Sequence, residues 1–167
     1  MKHDVSLLWS LALSLLIVGC AYSFRGASVP SHIKTVAIPI VEDQSGFGEP
    51  GLRERFTNEL IARFINDNSL EIADKLAADS MLEGVITMVR DDASVVEAGE
   101  QVTKRRITVS ITMVYHDLKL RKKMWEKEFT NWGDWEPAAG LQERENGLQQ
   151  AINKITEDIL IDTVSGW

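Results

Sequence analysis

Between Arg106 and Tyr115 the sequence alternates: Ile107, Val109, Ile111, Met113 and Tyr115 are apolar, and Arg106, Thr108, Ser110 and Thr112 stand between them, with Val114 the one exception. Successive side chains of a strand point to opposite faces, so this period of two makes one face oily and the other wet. Such a strand needs neighbours for its backbone groups and a second layer for its oily face. The rest of the chain must supply further strands and something amphipathic to lay over them.

Both are legible. Residues 124–132 read as a strand with Trp125 and Phe129 on one side, joined to the alternating strand through the tight link Leu118-Lys119-Leu120-Arg121 as a long hairpin. Residues 81–90 read as another strand, apolar on both sides of Gly84. Residues 33–40 read as a largely buried one, with Pro39, which has no N–H, at its end or on an edge. A short extended piece is expected at 70–72. Residues 42–51 read as a loop, and Asp91 to Gln101 as a loop longer than a simple hairpin requires, hence a candidate contact element.

Leu52, Phe56, Leu60 and Phe64 recur with a helical period, which predicts an amphipathic helix over residues 51–66, ended by Asn66-Asp67-Asn68. A second helix is expected from Pro137, in its first turn, to about residue 163, with Leu141, Leu148, Ile152, Ile155 and Ile159 as its apolar stripe and an acidic opposite face. The expected fold is an α/β (α+β) two-layer sandwich: two amphipathic helices on one face of a four-stranded sheet, in the order β-α-β-β-β-α.

The first twenty residues have a different character. A short polar head, Met1-Lys2-His3-Asp4, precedes an apolar run of about 14 residues that stops at Gly19-Cys20, which is too short to span a bilayer and has the layout of a secretory signal peptide. Ile17-Val18-Gly19-Cys20 resembles the bacterial lipobox, although Val18 is bulkier than the Ala or Ser common at its place. That resemblance implies removal of residues 1–19, covalent diacylglycerol and an N-acyl chain on Cys20, and attachment to a membrane. Residue 21 is Ala rather than the Asp that retains lipoproteins at the inner membrane, so the expected location is the outer membrane. The expected organisation is a signal peptide at 1–19, a lipidated tether at 20–32 and one domain at 33–167.

Chemistry beyond the anchor is sparse. Cys20 is the only cysteine, and the mature chain holds only His32 and His116, so the sequence offers almost no ligands for zinc or redox chemistry. It contains no nucleophile elbow, phosphate-cradling glycine loop or zinc-protease motif. No enzyme, cofactor or metal site is expected. The formal net charge of −7 argues against a nucleic-acid partner. Against that background two basic clusters stand out, Lys104-Arg105-Arg106 and Arg121-Lys122-Lys123, expected at opposite ends of the sheet. Their charges suit phosphate recognition, but solubility and protection of strand edges are the more ordinary explanation. Trp132 and Trp135 flank a turn before the last helix, where they either plug the sheet's end or meet a partner.

The stretches Cys20-Ala21-Tyr22-Ser23-Phe24-Arg25-Gly26-Ala27-Ser28, Pro30 with His32-Ile33-Lys34-Thr35-Val36-Ala37-Ile38-Pro39, and Ala78-Asp79 with Leu82-Glu83-Gly84-Val85-Ile86 resemble the LptE family of lipopolysaccharide-assembly lipoproteins. The resemblance implies the same helices-on-sheet fold and a role without catalysis. It implies a plug and assembly partner inside a large outer-membrane β-barrel, LptD, that also binds lipopolysaccharide through basic residues at strand ends. By that analogy Lys104, Arg105, Arg106, Arg121, Lys122 and Lys123 are candidate lipopolysaccharide ligands; Trp132 and Trp135, from their place at the turn, are candidate partner contacts. The stretch 33–39 followed by a helix also resembles envelope lipoproteins that activate peptidoglycan synthases or build secretion pores.

Overall fold

A computed structural model describes residues 29–97 and 101–165. The signal segment 1–19, Cys20 and all of the expected tether except residues 29–32 lie outside the described residues, as do residues 166–167 at the end of the expected domain. The elements are β1 (Thr35–Ala37), β2 (Glu42–Asp43), α1 (Leu52–Asp67), β3 (Glu71–Ile72), β4 (Ser80–Glu97), β5 (Gln101–Asp117), β6 (Lys122–Trp135), a 3-10 turn (Pro137–Ala139) and α2 (Leu141–Ser165). Two helices on one sheet are as expected. The sheet has six strands rather than four, in the spatial order β3-β1-β4-β5-β6, with β2 also on β4.

The two additional strands have local causes. The expected strand 33–40 is cut by Pro39, which cannot donate to a ladder. Its first part, β1, runs parallel to β4 with Val36 opposite Ser80, and after four residues the chain rejoins the same edge as β2, with Glu42 opposite Val85. The residues at 42–43 are therefore strand rather than loop. Residues 71–72 complete the far side, parallel to β1.

The expected loop from Asp91 to Gln101 is also overturned. Here β4 and β5 continue as a paired ribbon as far as Glu97 opposite Gln101. Register shifts at Ala93/Val95 and Val95/Val96 explain why no alternation was visible there, because each irregularity breaks the period of two. A third shift, between Ile86 and Met88, changes which residues of β4 face the helices. Leu82 and Ile86 lie opposite Tyr115 and Ile111, and beyond the shift the odd-numbered Val89 lies opposite Val109.

The core lies between the helices and one face of the sheet. Ile107, Val109, Ile111, Met113 and Tyr115 of β5 are all fully buried, as the alternation required. Trp125 and Phe129 of β6 flank them, with Tyr115 and Trp125 ring centroids 5.6 Å apart and Trp125 and Phe129 6.0 Å apart. From α1 come Leu52, Phe56, Leu60 and Phe64, and from α2 Leu148, Ala151, Ile152, Ile155 and Ile159. Each large side chain so buried contributes about 1.5–3 kcal/mol. Asn68 ends α1 in a left-handed conformation, its N–H donating to the Phe64 carbonyl at 3.0 Å.

Leu141 does not belong to the apolar stripe, being 80% exposed. Pro137 opens a separate 3-10 turn, closed by Gly140 at φ 88°, so α2 starts beyond the end of β6 and packs on that strand from about two turns later, at Gly147. There the helix backbone meets β6 directly. A Cβ on Gly133 would stand 1.9 Å from the Gly147 carbonyl oxygen.

Candidate functional site

The sheet sorts the candidate cations into two ends. Arg105 lies opposite Trp135, and at the other end of the hairpin Asp117 lies opposite Lys122. At about 3.3 Å per residue the clusters are roughly 40 Å apart, so they form two sites and not one.

At the β4–β5 end the cations have partners. Arg105 Nε donates to Asp91 Oδ1 at 2.8 Å, and its NH2 donates to the Asp91 carbonyl. Arg106 forks onto Asp134 at 2.7 and 3.0 Å. Lys104 lies 4.0 Å from Glu136. The Arg106 guanidinium, by its hydrogen bond, holds the Asp134 carboxyl below the usual range. Asp91 also accepts from Trp135 Nε1 at 3.2 Å and from Arg144 Nε at 3.3 Å, and Arg144 continues to the buried Glu49 at 2.8 Å. This network ties β4, β5, β6 and α2 to the segment before α1.

The two tryptophans therefore differ. Trp135 is half-buried against the core and held by Asp91. Trp132 is 42% exposed, with the Arg106 guanidinium 4.9 Å and the Lys154 ammonium 5.4 Å from its ring centroid.

At the β5–β6 turn the balance is reversed. Lys123 pairs with Glu126 at 2.6 Å, but among the described residues no carboxylate lies within ion-pair distance of Arg121 or Lys122. Both are exposed, and Arg121 takes a left-handed φ of 53° in the turn. The turn is fixed from below by Asp117, which is fully buried: its Oδ1 accepts the Leu120 N–H at 2.8 Å and its Oδ2 meets His32 Nε2 at 2.5 Å. Burial would push the Asp117 carboxyl up, but the hydrogen bonds from His32 and the Leu120 N–H outweigh it and hold the group below the ordinary range. Beside it Asp79 accepts from Lys119 Nζ at 2.8 Å and from the N–H groups of Lys34 and Thr35 at 2.7 and 3.2 Å. Lys119, first among these, holds Asp79 below its usual range.

Sequence reasoning did not find this knot of His32, Asp79, Asp117 and Lys119. One signal was present: an aspartate at the end of a strand, directly before a short turn, commonly takes a backbone N–H of that turn. The other partners come from 38 and 85 residues away and carried no local sign.

His116, on the open face of β5, lies 3.6 Å from Glu83. Among the described residues no three His, Cys, Asp or Glu side chains converge as a metal site, and no helix is long and apolar enough to cross a membrane.

The architecture defines a fold class: a two-layer α+β domain with its helices on one sheet face, shared with several solved bacterial proteins, two of which are named as lipoproteins. It is similar to a Xanthomonas campestris protein at 10% identity, covering 82% of this chain and 90% of that one, with a TM-score of 0.61. It is similar to the rare lipoprotein B of Shewanella oneidensis at 13% identity, covering 74% and 90%, with a TM-score of 0.51. The PelC dodecamer of Paraburkholderia phytofirmans is similar at 13% identity, covering 83% and 94%, with a TM-score of 0.56. Likeness at these identities speaks for the fold alone. No curated protein sequence matches the chain. The model of the LptE lipopolysaccharide-assembly family matches residues 33–163, and the chain belongs to that family. It is a family of non-enzymatic lipoproteins.

Proposed function

We propose that this chain is an outer-membrane lipoprotein, exported on residues 1–19 and acylated at Cys20, that plugs and helps assemble an LptD-like β-barrel and binds lipopolysaccharide passing through it. The observation that carries the reading is the family match, which spans β1 to the last turns of α2 and so includes every element described. The absence of a catalytic constellation from the sequence fits a role in binding and assembly.

Within that reading the charge pairing favours one of the two basic clusters. A cation already held by a carboxylate must exchange that partner for a phosphate, whereas an unpaired one gains a charge-assisted hydrogen bond outright. Lys104, Arg105 and Arg106 are of the first kind, and Arg121 and Lys122, among the described residues, of the second. We assign the phosphate contact of lipopolysaccharide to Arg121 and Lys122, with Lys123 available by releasing Glu126. Trp132, exposed beside Arg106 and Lys154, is the aromatic open to the barrel partner.

The test is binding of purified lipopolysaccharide to the purified protein. Arg121→Glu with Lys122→Glu should weaken it by roughly tenfold or more, the loss of one or two charge-assisted bonds. Lys104→Glu with Arg106→Glu should leave it within about twofold, well under the worth of one such bond. The opposite pattern would overturn the assignment, and no binding by the parent protein would overturn the ligand.

A further inference from the structure

Arg121 closes the β5–β6 turn with a left-handed φ of 53°. That region is unfavourable for a residue with a Cβ, which persists there where its surroundings hold the backbone. Here the hold comes from the residues just before it. The fully buried Asp117 accepts the Leu120 N–H through Oδ1 at 2.8 Å, the Leu118 N–H donates to the Asp79 carbonyl at 2.9 Å, and Lys119 Nζ donates to Asp79 Oδ1 at 2.8 Å. Residues 118–120 are thus fixed immediately before the two cations to which the phosphate contact is assigned.

The same knot holds the start of the domain. His32 Nε2 meets Asp117 Oδ2 at 2.5 Å, so one carboxylate serves the turn with one oxygen and residue 32 with the other. Lys119 Nζ bridges in the same way, donating to Asp79 and, at 2.7 Å, to the His32 carbonyl. The Lys34 and Thr35 N–H groups donate to Asp79 at 2.7 and 3.2 Å. Asp117 has no solvent exposure, so loss of either donor leaves a charge in the interior short of a partner.

Two elements that share their partners stabilise one another, and whatever favours one favours the other. One of them is the segment that leads back to Cys20. The other presents Arg121 and Lys122.

We propose that Asp117 is a positioning residue for phosphate recognition, that His32 acts through it, and that docking of residues 32–35 on the domain is coupled to ligand binding at the turn. With the segment docked, the turn is preformed and its cations meet the ligand without a cost of ordering. With the segment released, the turn loosens and affinity falls. This rests on the assignment of the phosphate contact to Arg121 and Lys122 above.

The test is binding of purified lipopolysaccharide to the purified mature protein, read together with hydrogen exchange at the Leu120 amide, at a temperature where circular dichroism finds the variants folded. His32 is partly exposed and its ring reaches the turn through Asp117, so His32→Ala removes the link without changing the turn's sequence. It should weaken binding about threefold and speed exchange at Leu120, the effect of one ordinary hydrogen bond. Asp117→Ala should weaken binding by about tenfold or more, the effect of a bond to a charged group. Asp117→Asn, which keeps an acceptor for the Leu120 N–H, should recover most of that loss. Ile155→Val destabilises the core without touching the turn and should leave both readings at the parent's values. In the parent, lipopolysaccharide should slow exchange at Leu120, because coupling is reciprocal. Parent-like affinity in His32→Ala, or an equal loss in Ile155→Val, would overturn the proposal, and neither outcome needs Asp117→Ala to fold. If Arg121→Glu with Lys122→Glu loses binding while His32→Ala and Asp117→Ala keep it, the ligand assignment stands and the coupling alone is overturned. If that double variant binds as the parent does, the assignment falls and the coupling with it.

Discussion

Gly133→Ala should be among the most damaging single-methyl changes in this protein. Gly133 lies opposite Ile107 in the sheet, and its absent side chain points at α2. A Cβ there would stand 1.9 Å from the Gly147 carbonyl oxygen, 2.7 Å from its carbon and 3.0 Å from the Gln150 Cβ. Ordinary contact between such atoms is on the order of 3.3 Å, so helix and strand must part by more than about 1 Å, and the opposing atoms are backbone. That separation loosens Leu148, Ala151 and Ile152, all essentially fully buried, from the sheet. Overpacking ordinarily costs about 1–3 kcal/mol, and forcing apart two backbones that carry a helix stripe should cost about 3–5. Gly147→Ala is the control. Its Cβ would meet the Asp134 carbonyl oxygen and the Trp135 Cβ at 3.3 Å, so its neighbours need give only a few tenths of an ångström. Alanine also gains up to about 1 kcal/mol in a helix over glycine, leaving the net change within about 1 kcal/mol of zero. Urea unfolding followed by far-UV circular dichroism reads both. A loss below about 1 kcal/mol for Gly133→Ala, or equal losses for the two variants, would refute the argument from backbone contact.

Phe64→Ala, removing a fully buried ring from α1, should cost about 3–5 kcal/mol in the same assay, and a cost under about 1 would mean that α1 does not close the core. Part of the acid limb of stability should come from the knot at the β5–β6 turn. The carboxyls of Asp79 and Asp117 are lowered from an ordinary value of 3.8. Their contribution is therefore present in full above that range and is lost as pH falls through the lower folded values. The urea midpoint should drop below about pH 4 on this account. Asp79→Asn with Asp117→Asn should flatten that drop while lowering stability at neutral pH, and an unchanged acid slope would place its cause elsewhere.

The sequence was informative where one period ran unbroken. The alternation of β5 and the stripes of α1 and α2 each repeat over several turns or residue pairs, so their buried faces could be read directly. Where the register shifts, the pattern fails. At Ile86/Met88 the inward residues of β4 pass from even to odd numbers, and the shifts around Val95 disguised the ribbon as a loop. Strands of two residues, such as β2 and β3, are too short for any period to show. The basic clusters were visible as charges, but their difference was not, because Asp91 and Asp134 lie 14 and 28 residues from the arginines they hold. The Gly133–Gly147 contact was invisible for a similar reason: neither glycine carries a side chain whose pattern could announce it.

The central claim, partnership with an outer-membrane barrel in lipopolysaccharide assembly, is tested most directly by purifying the native protein from its own outer membrane in mild detergent and identifying what comes with it. The account predicts a large β-barrel protein in near-stoichiometric amount, which remains bound through size-exclusion chromatography. Recovery of the chain alone, as a ring of its own copies, or with a cell-wall synthase would contradict it.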